Sequence, residues 1–97
     1  MPLAWTNDAT WIAQRHLSAY RYSELMMASR RIWGDAERSE NRSAVALERL
    51  AAFVREMATS DKLAGRLVGI DLDDIDLVQI ADYWLGGIAA YHELARA

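Results

Sequence analysis

The sequence predicts an all-α fold, a compact bundle of about four helices with the third one short, in a single domain spanning residues 1–97. Three observations lead there. The only proline is Pro2, so no residue beyond it is barred from a helix interior. β-branched residues are few, which removes the usual composition of strands. Apolar residues recur three and four positions apart through most of the chain, the spacing that puts them on one helix face. Ninety-seven residues supply one core and leave no room for a second.

The first helix is expected from about Asn7 to Trp33. Thr6 or Asn7 can cap it, Asp8 suits its positive end, and Gly34 suits its C-terminus. Trp11, Ile12, Ala19, Tyr22, Met26 and Trp33 form one broad stripe, yet Leu17, Tyr20, Leu25, Met27, Ala28 and Ile32 lie on other faces. A helix apolar around most of its circumference needs cover on two sides. A chain this small can hardly provide that alone, so self-association as a homodimer, or a partner, is expected. The apolar fraction of 53% and the four tryptophans point the same way.

The charged stretch GDAERSENRS reads as a linker, and a second helix is expected from about Asn41 to Ala58. Ala46, Leu47, Leu50, Phe53, Val54 and Met57 share its inner face, with Glu48, Arg49, Arg55 and Glu56 opposite. Ser60 can cap a short third helix through DKLAGRLV, with Leu63, Leu67 and Val68 facing inward and Gly69 ending it. The last helix is expected to begin among the aspartates of GIDLDDIDL and run to about Ala95. Leu77, Ala81, Trp84, Ile88 and Tyr91 form its seam. Gly86 and Gly87 within that helix predict a close approach of another backbone, with a kink as the alternative.

Composition and motifs exclude most chemistry. Without cysteine there is no disulfide, thiolate nucleophile or cysteine-based metal site. MPLAWTNDAT lacks a basic start followed by an apolar run, and no stretch has the length of a membrane span, so a cytoplasmic protein without membrane contact is expected. No G-x-S-x-G elbow, P-loop or G-x-G-x-x-G occurs. His16 and His92 have no metal-binding partner three or four residues away. Read as a calcium loop from Asp71, the acidic run has Asp73 at the third position but Ile75 at the fifth. Asp76 stands where glycine is needed, and Asp82 where glutamate is. The sequence thus implies no enzyme, no cofactor and no metal.

What remains is an interaction protein. Asp71, Asp73, Asp74 and Asp76 carry more negative charge than capping one helix requires, which suggests a basic protein partner. Exposed aromatics of the first helix, Trp11, Tyr22 and Trp33, would complete that surface, since aromatics commonly centre interfaces. An adaptor, an assembly factor, or an inhibitor of the phage or mobile-element kind that covers a basic nucleic-acid-binding site would fit. The alternative is nucleic-acid binding through Arg15, Arg21, Arg30 and Arg31, interleaved with tyrosine and tryptophan. Those arginines scatter around the helix, and a pI of about 5.2 opposes phosphate binding.

Overall fold

The computed structural model describes residues 5–88, and among them the chain is helical without a strand. Its elements are α1 (Asp8–Tyr20), α2 (Tyr22–Asp35), α3 (Arg42–Leu63), a single 3-10 turn at Leu72–Asp74, and α4 (Leu77–Leu85). The predicted helical bundle is what the chain forms.

The expected first helix is two. Asn7 caps α1 through its side chain, which accepts the Thr10 N–H at 2.8 Å. The helix then stops at Arg21, whose φ of −127° and ψ of 20° leave the helical region for one residue before α2 begins. Neither glycine nor proline stands at the break, so local sequence does not demand it. The bend lets two different faces reach one core. Ala13 and Leu17 of α1 and Leu25, Ala28, Ile32 and Trp33 of α2 are all buried, whereas Ile12, Tyr20, Tyr22 and Met27 remain exposed.

α3 shows the predicted inner face, with Ala46, Leu50, Val54 and Met57 buried and Leu47 and Phe53 half-buried. It does not stop at Ala58. The helix runs through Ser60 to Leu63, so the short third helix does not exist as a separate element. The extra turn carries the α3 stripe on to Ala58 and Asp61, both 1% exposed. Leu63 and Val68, expected inside, point outward at 85% and 79% exposure, and only Leu67 of that trio is buried. The chain leaves α3 through Gly65 and Gly69, both at positive φ (76° and 79°), where a side chain would be strained.

The aspartate run does not open one long helix either. Asp71 accepts the Asp73 N–H and caps the 3-10 turn, while Asp76 accepts the Gln79 N–H at 3.0 Å and caps α4. α4 buries Ile80, Ala81, Trp84 and Leu85, then ends with Gly86 in the capping position. A Cβ on Gly86 would meet the carbonyl oxygens of Asp82 and Tyr83 at 3.2 and 3.3 Å. Among the described residues the two glycines therefore serve a tight helix end and not the approach of a neighbouring backbone. Tyr91, His92 and Ala95, assigned above to a longer helix or weighed as ligands, lie outside the described residues. No described helix is long and apolar enough to cross a membrane.

Candidate interaction surface

The start of α4 is clasped by the N-terminal segment through side chains that both ends use for capping. Thr6 donates its hydroxyl to Asp76 Oδ2 at 2.7 Å and its backbone N–H to Gln79 Oε1 at 2.9 Å. The Asn7 amide donates to the Asp74 carbonyl at 2.7 Å. The buried Thr10 hydroxyl donates to Asn7 and accepts the Asp76 N–H, each at 2.8 Å. Deeper in, the Trp84 indole N–H donates to Gln14 Oε1 at 2.9 Å.

This clasp lays out a row of rings. Trp5 contacts Trp11 at 6.2 Å and Tyr83 at 5.6 Å between centroids, and Trp84 meets Tyr22 edge-on at 5.5 Å. Two hollows flank Tyr83. The smaller, about 130 Å³, is lined by Trp5, Gln79, Asp82 and Tyr83. The larger, about 650 Å³, includes Tyr22, Met26, Asp82, Tyr83 and Trp84. Asp82 and Tyr83 border both, so the two hollows adjoin along a groove whose walls carry aromatic rings and a carboxylate.

The predicted site residues divide accordingly. Trp11 is half-buried at one end of the row and Tyr22 is exposed at the other. Trp33 is not available: it is 6% exposed, with the Arg42 guanidinium 3.8 Å above its ring and bonded to its carbonyl. Burial on the α2 core face is the reason. Asp73 and Asp74 are exposed, and Asp71 spends one oxygen on its turn. Asp76 engages both carboxylate oxygens, one on Gln79 and one on Thr6, so it holds the clasp. Trp5, Asp82 and Tyr83 were missed. Tyr83 and Asp82 lie off the Leu77–Ala81–Trp84 seam, and that position was a signal that they face outward.

The arginines do not gather into one face. Arg15, Arg30 and Arg31 are exposed, with Arg31 5.9 Å from the Phe53 ring centre, but Arg21 is committed elsewhere. Its Nη2 donates to Asp61 Oδ1 at 2.5 Å, its Nε lies 3.3 Å from Oδ2, and its Nη1 donates to Glu24 at 2.8 Å. His16 Nε2 lies 2.8 Å from the same Asp61 Oδ2. The Arg21 hydrogen bonds, aided by the one from His16, hold the Asp61 carboxyl below the usual carboxylate range against the opposing effect of burial. This cluster was also missed. One more turn on α3 would have put Asp61 on the Leu50–Val54–Met57 stripe, where a carboxylate needs a partner. Among the described residues no group of three or more His, Asp or Glu could hold a metal ion. The chain matches no protein-family model, no curated protein and no solved structure.

Proposed function

We propose that the chain is a non-catalytic protein-interaction module whose groove takes a basic segment of a partner protein. The observation that carries this reading is that Asp82 and Tyr83 border both hollows, so an acidic side chain shares their walls with the rings of Trp5, Tyr22 and Tyr83. A lysine or arginine entering there meets opposite charge and ring faces together, and both attract a cation. Asp73 and Asp74, exposed on the turn before α4, add to the field that would steer such a segment. The partner class is therefore basic protein, as an adaptor or an inhibitor of a basic site would require. Dimerisation through the groove competes with this reading.

Titration with an arginine-containing nonapeptide, followed by backbone amide NMR, tests it. Shifts are expected at Trp5, Asp82, Tyr83 and Trp84. Tyr83→Ala should weaken the peptide about tenfold or more, the loss of one interface centre. Shifts spread equally over Glu37, Glu40 and Glu48 would mean unspecific charge attraction and sink the proposal. A doubled mass by light scattering at tens of micromolar that Tyr83→Ala returns to monomer would assign the groove to a second copy instead.

A further inference from the structure

Asp61 organises a second site that shares no lining residue with the groove. Its carboxylate fixes His16, while its backbone carbonyl accepts the Arg66 N–H at 2.8 Å. The chain can double back to make that second bond because Gly65 adopts a φ of 76°. One buried residue thus sets both the ring of His16 and the backbone at Arg66. These two side chains, with Tyr20, line a cavity of about 390 Å³, a volume within the range of small-molecule pockets.

The chemistry of the walls is one-sided. No carboxylate pairs with the Arg66 side chain among the described residues. The negative charge of Asp61, behind His16, is already answered by Arg21, which bonds both of its oxygens. The other walls are two rings, His16 and Tyr20, with centroids 5.1 Å apart and planes tilted by 41°. A guanidinium with no carboxylate partner among the described residues, beside two aromatic rings, suits a flat molecule with a negative end.

We propose that this cavity binds a small aromatic carboxylate. Arg66 pairs with the carboxylate, the ligand ring packs against Tyr20 and His16, and Asp61 acts as a positioning residue that never touches the ligand. Glycine at position 65 belongs to the site as well, since it lets the chain bring Arg66 back over α1.

Sodium benzoate is the probe, titrated by NMR at constant ionic strength beside acetate, which lacks the ring, and benzyl alcohol, which lacks the charge. Benzoate should give saturable shifts at His16, Tyr20 and Arg66, and bind about tenfold more tightly than either control. Arg66→Ala alters an exposed turn residue and should leave the melting temperature in place. It should weaken benzoate about tenfold or more, as loss of a charged hydrogen-bonding partner does. Three results would each overturn the proposal: no saturation by about 20 mM, a range in which a ligand of this size should bind; acetate binding as tightly as benzoate; or unchanged binding to Arg66→Ala.

Discussion

Replacing Asp61 by alanine is expected to destabilise the fold by about 3 kcal/mol or more, near the lower end of what breaking a buried ion pair does. The lower end is appropriate because the Arg21 side chain is 22% exposed and can turn to water. His16, at 11%, has less freedom and loses its only hydrogen-bonding partner in the cluster. The cluster joins the last turn of α3 to the break between α1 and α2, so its loss frees three helices at one point. Asp61→Asn keeps the shape and part of the hydrogen bonding, and should fall between the two. Urea denaturation measures all three, and an alanine variant within about 0.5 kcal/mol of the parent would show that the cluster holds nothing.

The same group sets a pH dependence. In the unfolded chain an aspartate titrates near pH 3.9, and in the fold Arg21 and then His16 hold Asp61 below that. Because the folded value is the lower one, the unfolded chain binds the proton first. The contribution of Asp61 is therefore complete above about pH 4 and is lost as pH falls through the folded value. Acid unfolding of Asp61→Asn should be less steep in that window than that of the parent.

Trp84→Ala is expected to be at least as damaging, about 3–5 kcal/mol, which for a small domain approaches its whole stability. The indole is 5% exposed and stands among Ile80, Ala81 and Leu85, so truncation leaves a cavity that the surrounding helices cannot fill. It also strips Gln14, 3% exposed, of the donor to its carbonyl oxygen. Trp84→Phe separates the two effects: it keeps most of the volume and removes the indole N–H, at about 1–3 kcal/mol for the unpaired amide. If the phenylalanine variant melts with the parent, the buried hydrogen bond to Gln14 is not a source of stability.

Much of the fold was legible because helix periodicity is a local signal. The α3 face from Ala46 to Met57 and the cap at Asn7 follow from spacing and side-chain type, whereas the α4 cap falls on Asp76 and not on Asp71 or Asp73, because a 3-10 turn intervenes. The break at Arg21 was not legible: no glycine or proline marks it, and besides the nearby Glu24 its side chain bonds Asp61, forty residues away. Asp61 itself was hidden by ending α3 a turn early. A serine preceding an aspartate reads as a cap, and only the core on the far side shows that the helix continues. The candidate surface was half legible: Trp11, Tyr22 and the acidic run were visible, but the clasp that brings Trp5 to Tyr83 depends on pairing between segments some seventy residues apart.

That clasp also has a kinetic consequence. Thr6, Asn7 and Thr10 find their partners at Asp74, Asp76 and Gln79, some seventy residues away, whereas α2 and α3 are joined by a short loop. Contacts across so long a loop form only after nearer ones have shortened it, because closing the chain is entropically unfavourable until then. The clasp should therefore be absent from the folding transition state. Weakening it would leave the refolding rate almost unchanged and speed unfolding, so these threonines govern how long the molecule stays folded and have little part in how fast it gets there.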